Sequence, residues 1–456
     1  MRVAILGAGQ LGIYLTQRLS NDHDVCIVDL NEEKLGFISS AFDVQTVCGD
    51  ITRPNTMIEA NLKDCDMVIA VTSSDTTNVA ICDMSHKLFK TPYKVARIRD
   101  TEFTRFPKLL DHVDLVIKSF LETTKQLEQL IFLPGAYFIS SFFDKRVQAI
   151  GVKVSKDSDI IGYAIKDVQL GLDDIRINII SITRDDKPLN LDDKETTIQP
   201  DDKVLFLSEK AYSAQLLSIF QPKKTNVKKI FIAGANHASI TLAKSLENKG
   251  YIVKMIDPDT DKCKHALSEL TKTTILQYNP VNNNLLVAEG IDEADMFFAL
   301  TNSDEINIMS SILAKKLGAK KSIATVSSSE YHHIINDLSL MDLSISPHNF
   351  SYTTIRGFMT QVDIIKMYEI EYADNYILEL KIHGKENIST VIGKKISELN
   401  LPNDIKIMAI FRDSKPMFNI ENIRILENDQ VLIQAPSTSA INDIEKLFQV
   451  MPIYIA

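Results

Sequence analysis

Residues 7–12 read Gly-Ala-Gly-Gln-Leu-Gly directly after the apolar run Val3-Ala-Ile-Leu6, and an acid, Asp29, ends the next apolar run, Val25-Cys-Ile-Val28. Gly-x-Gly-x-x-Gly between a strand and a helical pattern, with an acid beyond it, is the order of a nucleotide- or dinucleotide-binding βαβ unit. Gly7 permits the tight strand-to-helix turn. Gly9 puts no Cβ where a pyrophosphate must touch backbone, and Gly12 lets the helix press on the strand. The helix start then offers unpaired N–H groups and a partial positive charge to phosphate. Asp29, 20 residues after Gly9, is placed to accept both hydroxyls of an adenosine ribose. The bland alternative is a tight βα turn that binds nothing.

The elements that must hold these residues come in two copies. Val3-Ala-Ile-Leu-Gly7-Ala-Gly9 returns as Ile230-Phe-Ile-Ala-Gly234-Ala-Asn236, and Cys65-Asp-Met-Val-Ile-Ala-Val-Thr72-Ser-Ser-Asp75 as Ala294-Asp-Met-Phe-Phe-Ala-Leu-Thr301-Asn-Ser-Asp304. Asn78 and Asn307 follow each of those acids by three residues. Ile182-Thr-Arg184-Asp-Asp-Lys-Pro188 returns as Ile410-Phe-Arg412-Asp-Ser-Lys-Pro416, and Asp201-Asp202-Lys-Val-Leu-Phe206 as Asn428-Asp429-Gln-Val-Leu-Ile433, always 227 to 229 residues on. Each half is thus a two-part unit.

Unalternated apolar runs at 3–6, 25–28, 44–48, 67–71, 95–98 and 115–117 suit strands buried on both faces, hence a doubly wound parallel sheet. The alternating run at 175–180, a Lys-Pro hairpin signal, a helix opening near Gly162, the run at 204–207 and a final helix read as a small antiparallel α+β domain. The expected fold class is α/β: a tandem duplication of a Rossmann-like domain followed by a small α+β domain. The predicted boundaries are a first Rossmann domain over 1–120, a helical connector over 121–143 and a small domain over 144–221. After the linker at 221–226 come a second Rossmann domain over 227–347, a connector over 348–370 and a small domain over 371–453.

The 456 residues fit two to four domains, and 45% hydrophobic with 24% charged residues is ordinary globular composition. A net charge of −10 argues against non-specific nucleic-acid binding. No apolar stretch approaches the ~18 residues that span a bilayer, and a core strand at the very start leaves no room for a signal peptide. The five cysteines lack Cys-x-x-Cys pairing and read as reduced core or near-core residues of a cytoplasmic protein. His265, His332 and His333 read as surface or helix-face side chains. No metal ligands and no catalytic residues are expected.

The glycine motif, His23-Asp-Val with Asp29, Cys48-Gly49-Asp50, Val71-Thr72-Ser-Ser-Asp75, Val95-Ala-Arg97-Ile-Arg99 and Asp201-Asp202-Lys-Val-Leu, taken with the domain order, resemble the TrkA family. These are nucleotide-binding regulatory subunits of bacterial Trk potassium-uptake systems, with tandem RCK (regulator of K⁺ conductance) domains. The resemblance implies a regulator, not an enzyme. It implies NAD(H), or ATP or ADP, as ligand, a TrkH-like membrane subunit as partner, and a homotetrameric ring on the inner face of the plasma membrane. A ligand would act by preferring one conformation over another.

By position, Gly7, Gly9 and Gly12 with the N–H groups of Ala8, Gln10 and Leu11 would cradle phosphates, and Asp29 would disfavour the 2′-phosphate of NADP. Asp50 would read the adenine or ribose edge, or else cap a helix. Thr72 would face the phosphate side of the crevice, or else serve as an N-cap. Arg97 and Arg99, two apart and so on one face of a strand, would compensate terminal phosphates, or else form an interface salt bridge. In the second half Gly234 and Asp257 keep the pattern. Asn236, Ser239, Asn279 and Thr325 stand where Gly9, Gly12, Asp50 and Arg97 do, so that site is expected to be the weaker. The competing readings are a regulator of another cation channel or antiporter, and an NAD-dependent oxidoreductase. No tyrosine here is followed by lysine four residues on, which removes the short-chain dehydrogenase constellation.

Overall fold

A computed structural model describes the chain except residues 171–174, 176, 186, 192, 194, 195, 224, 225, 339, 371–374, 403 and 451–456. The first domain alternates β1 Arg2–Leu6, α1 Gln10–Leu19, β2 Asp24–Asp29, α2 Glu32–Ala41, β3 Gln45–Cys48, α3 Pro54–Glu59, β4 Met67–Ala70, α4 Asp75–Met84, β5 Tyr93–Arg97, α5 Thr101–Arg105 and β6 Leu115–Ile117. The strands are parallel in the order β3-β2-β1-β4-β5-β6. Val3, Ala4, Ile5 and Leu6 are all fully buried, as a central strand covered by helices on both faces requires. In α1, Leu11, Tyr14, Leu15 and Leu19 are the buried hydrophobic side chains, the helical spacing of a face packed on a sheet. The order reverses between β1 and β4, so the ligand crevice of such a sheet opens at their C-terminal ends.

After α6 Ser119–Phe132 come β7 Ala136–Phe142, β8 Val147–Lys153, α7 Ile165–Leu170, β9 Asn178–Arg184, β10 Lys187–Pro188, β11 Lys203–Glu209 and α8 Ser213–Phe220. The strands form an antiparallel sheet, β10-β9-β11-β8-β7. The expected connector over 121–143 is therefore helical only to Phe132. Pro134-Gly135 stops the helix, and the aromatic-rich run after it pairs with β8 as β7. The strand expected at 175–180 begins at Asn178, and residue 176 lies outside the described residues.

The second half repeats this plan. Its parallel sheet holds β12 Lys229–Ala233, β13 Ile252–Ile256, β14 Thr274–Leu276, β15 Met296–Ala299, β16 Lys321–Thr325 and β17 Leu343–Ile345, in the order β14-β13-β12-β15-β16-β17. The helices between them are α9 His237–Asn248, α10 Thr260–Glu269, α11 Asn283–Ala288, α12 Asp304–Lys316 and α13 Ser329–Leu338. Then α14 Pro347–Phe358 leads to β18 Asp363–Ile370, β19 Asn375–Lys381, β20 Lys406–Arg412, β21 Lys415–Met417, β22 Gln430–Ala435 and α15 Thr438–Phe448. Here too the expected connector, 348–370, is half helix and half strand, because β18 pairs with β19.

Two compact units result. One is the first parallel-sheet domain together with 325–334 and 345–358, and the other holds the remainder. Within the second unit the two antiparallel sheets share one core: Phe142, Phe143, Leu205 and Leu207 cluster with Ile377, Met408, Phe418 and Leu432. The buried Glu379 accepts the Phe143 N–H at 3.1 Å. The recurring Arg and Asp of these domains are explained as well. Arg184 grips Asp202 through two bonds of 2.8 and 2.9 Å, and Arg412 grips Asp429 at 2.7 and 2.8 Å. Both carboxylates are buried, so each needs its bidentate partner.

Candidate nucleotide site

At the C-terminal edge of the first sheet the chain turns from β1 to α1 through Gly7, whose φ of +117° is left to glycine. A Cβ on Gly12 would stand 1.9 Å from the Gly7 carbonyl oxygen, so only glycine lets α1 start this close to the strand. Beside Gly9 lies open space. Gly9 is the N-cap of α1, and no side chain caps the helix. The first turn therefore meets that space with the positive end of the helix dipole and no capping side chain. Gly9 and Gln10 are exposed there and Leu11 is buried.

Asp29, at the tip of β2, braces this turn. Its Oδ2 accepts the Ala8 N–H at 2.6 Å and its Oδ1 accepts the Asn31 N–H at 2.9 Å. The Ala8 N–H, expected among the phosphate donors, is thus committed to Asp29. Each carboxylate oxygen retains a further lone pair for a ribose hydroxyl. Asp50 is half-buried after β3 and closes its own turn: Oδ1 accepts the Thr52 hydroxyl at 2.7 Å and the Thr52 N–H at 3.0 Å, and Arg53 lies 3.6 Å away. The Thr52 hydroxyl, then its N–H, holds that carboxyl below its ordinary range.

On the other side of the crevice, Thr72 donates its N–H and hydroxyl to Asn78 Oδ1 at 2.9 and 2.7 Å. Asn78 Nδ2 donates to the Arg97 carbonyl at 2.8 Å, and Arg97 Nη2 to the Thr72 carbonyl at 2.8 Å. Asn78 is fully buried and joins the ends of β4 and β5. Asn78 recurs as Asn307 in the repeat. Burial pulls the Arg97 guanidinium down to about 10, with repulsion from Arg99 adding to it, and its Nε is buried with no hydrogen-bond partner. Arg99 differs. β5 ends at Arg97, so Arg99 lies beyond the strand, exposed, with its N–H 2.8 Å and its Nε 3.4 Å from the two Asp75 carboxylate oxygens. That ion pair lies within the first domain.

The second half repeats the frame but closes it. Gly234, at φ +101°, makes the turn, and the buried Asp257 accepts the Ala235 N–H at 2.8 Å and the Asp259 N–H at 2.9 Å. Thr301 and Asn307 reproduce the Thr72–Asn78 bonds at 2.8 and 2.7 Å. Asn236, however, turns its own side chain onto α9: Oδ1 accepts the Ser239 N–H at 3.0 Å, and Nδ2 donates to the Leu300 carbonyl. A side chain thus caps the turn that α1 leaves open. Asn279 is exposed and accepts the Val281 N–H at 3.1 Å.

Cys26, Cys65, Cys82 and Cys263 are buried and Cys48 is exposed, all as free thiols. Among the described residues no cluster of His, Cys, Asp and Glu could hold a metal ion, and no helix is long and apolar enough to cross a membrane. His265 is exposed. His332, expected at the surface, is buried with its Nε2 2.9 Å from the Val326 carbonyl, because its face of α13 turns inward. The side chain of His333 lies outside the described residues.

Known proteins share this arrangement. The TrkA-N domain matches residues 3–118 and 230–347, and the TrkA-C domain matches 150–221 and 387–449. The Trk system potassium uptake protein TrkA of Haemophilus influenzae is 30% identical over all of both chains, and that of Vibrio alginolyticus 31% over all of both. That of Halomonas elongata is 29% identical over 99% of each. Among solved structures, the GsuK RCK domain superposes with a TM-score of 0.62 at 15% identity, covering 98% of this chain and 94% of its own. The GsuK channel bound to NAD gives 0.60 at 15% identity, covering 98% and 78%. A duplicated parallel-sheet domain, each copy followed by an antiparallel one, and full-length identity of this order leave one assignment: the chain belongs to the TrkA family of Trk potassium-uptake proteins.

Proposed function

We propose that the chain is the nucleotide-binding regulatory subunit of a Trk-type potassium-uptake system. Its first parallel-sheet domain binds NAD(H), or ATP or ADP, and its ligand-dependent shape gates or assists K⁺ flux through a TrkH-like membrane subunit. The observation that carries the binding is the uncapped start of α1 beside open space at Gly9, facing a crevice whose far wall holds Arg97 with an unpartnered Nε. An anion satisfies both. Asp29 takes the ribose hydroxyls with the lone pairs left after bracing Ala8, and Asp50, in the turn after β3, reads the adenine or ribose edge. A protein of this family, TrkA, carries potassium uptake in its name in several organisms.

The regulator works in the cytoplasm on the inner face of the membrane as a homotetramer, and it carries out no chemistry on its ligand. Calorimetric titration of the purified chain with NADH and with ATP tests the reading. Binding of at least one of them is expected, with Asp29→Ala weakening it more than tenfold while the fold, followed by circular dichroism, is kept. Wild type that binds neither nucleotide ends the proposal. Steady turnover of NADH by the chain with carbonyl substrates would replace it by the oxidoreductase reading.

A further inference from the structure

The α14 helix belongs to the second half in sequence but to the first domain in space, where it packs against α1 and β6. Its direction follows from three ring contacts. At one end Phe358 meets Tyr93 edge-on, with centroids 5.6 Å apart. Midway the Arg18 guanidinium lies 4.5 Å over the Tyr352 ring, and at the other end the His348 ring lies 5.9 Å from Tyr14. Tyr93 opens β5 and Arg97 closes it. From Phe358 back to His348 a helix rises about 15 Å, and from Tyr93 to Arg97 a strand advances about 13 Å. His348 therefore comes level with Arg97, at the edge of the sheet where the crevice opens. Tyr14 and Arg18 of α1 meet His348 and Tyr352 of α14 in the same order, so the two helices run the same way and both start at that edge.

The side chain at the start of α14 is unsatisfied. His348 is 8% exposed, and neither of its ring nitrogens has a hydrogen-bond partner. Burial, with the nearby charge of Arg97, pulls its pKa down to about 3, so the ring is a neutral imidazole. A buried imidazole with both nitrogens unpaired has given up its hydrogen bonds to water without replacing them. Beside it, Arg97 Nε is in the same condition. Their counterparts in the repeat are Phe120 and Thr325, so neither group recurs in the other copy.

We propose that His348 completes the first domain's nucleotide site, donating a ring N–H to a phosphoryl oxygen that Arg97 Nε also binds. This rests on the nucleotide reading given above. Because α14 runs on through residues 359–362 into β18, a ligand held by His348 loads an element of the second half. Occupancy of one domain is thereby registered by the other half of the chain.

Three full-length chains test this: wild type, His348→Phe and His348→Gln. Each is titrated with ADP and with NADH by calorimetry and followed by hydrogen–deuterium exchange. The nucleotide that wild type binds should bind about tenfold more weakly to His348→Phe, which takes the residue of the other half. It should bind within about threefold of wild type to His348→Gln, whose amide still donates. Nucleotide should slow exchange across 345–358 in wild type and not in His348→Phe. Unchanged affinity of a folded His348→Phe overturns the proposal and leaves the nucleotide site standing. So does wild-type protection confined to the turns at 7–12 and 72–78, which decides the matter even if His348→Phe does not fold. Wild type that binds neither nucleotide overturns both together.

Discussion

The two parallel-sheet domains share a frame and differ in what fills it. Both turn on a glycine with positive φ, both brace that turn with an acid from the second strand, and both tie the fourth strand to its helix with a Thr–Asn pair. In the first, the helix start faces open space and is uncapped. In the second, Asn236 caps it from within. The shared residues build the turn in both domains, and on the nucleotide reading proposed above the differing residues decide whether an anion has anything to gain by entering. An acid at the tip of the second strand, commonly read as the mark of a nucleotide, is present in both domains. It serves the turn in both.

The largest expected effect sharpens this at Gly12. Its Cβ would meet the Gly7 carbonyl oxygen at 1.9 Å, a backbone atom that cannot move without displacing the turn. Gly12→Ala should destabilise the first domain by about 3 kcal/mol, read as a lowered denaturation midpoint. The second domain holds Ser239 at this position, so Ser239→Gly should shift stability by less than about 1 kcal/mol. Equal effects at the two sites would show that the close approach is not the distinguishing feature.

Next comes Gly9→Asn, which gives the first domain the cap of the second. An asparagine N-cap in place of glycine is worth only a few tenths of a kcal/mol in stability. It should nevertheless reduce nucleotide affinity more than tenfold, because its side chain occupies the space beside α1 and takes the N–H groups. Unchanged NADH or ATP binding by a folded variant would remove the helix start from the site.

A third difference is electrostatic. Glu247, near the end of α9, accepts the N–H groups of Thr271, Lys272 and Thr273 at 3.0–3.1 Å, and the hydroxyls of Thr271 and Thr273 as well. Burial pushes its carboxyl upward, yet the Lys272, Thr271 and Thr273 bonds outweigh it and hold it at about 2. A folded pKa below the ordinary 4.5 means that this stabilisation is complete above about pH 4.5 and drains as pH falls toward 2. The first domain has Leu19 and Ser20 at the same end of α1. Between pH 5 and 3 the second domain should lose about 2 kcal/mol through this group. Glu247→Gln should abolish that share of the pH slope in denaturation curves, and an unaltered slope would place the acid sensitivity elsewhere.

Much of this was legible in the chain itself. Unalternated apolar runs announce strands buried on both faces, and the parallel sheets stand where those runs lie. The repeat, visible because the same turns and acids recur, gave the tandem plan. What the sequence concealed were long-range relations. The run at 136–142 is aromatic enough to read as a helical connector, and only its pairing with β8 makes it a strand. Arg99 shares the alternation of Arg97, but β5 stops between them. His348 carries no local signal at all, since its neighbours Tyr14 and Arg97 are more than two hundred residues away.

The smallest expected effect reverses the second substitution. Asn236→Gly removes the cap of α9, for which glycine costs a few tenths of a kcal/mol, so thermal unfolding should hardly move. Opening the space does not by itself supply counter-charge, since Thr325 still stands where the first domain has Arg97. Calorimetry on Asn236→Gly should therefore return the wild-type number of nucleotides per chain. Asn236→Gly with Thr325→Arg should add a weak second equivalent. If Asn236→Gly alone creates a second site, room beside the helix start is sufficient, and the arginine is an adjunct. If the double variant gains nothing, the difference between the halves lies in something neither residue carries, and the partner supplied by α14 becomes the next group to exchange.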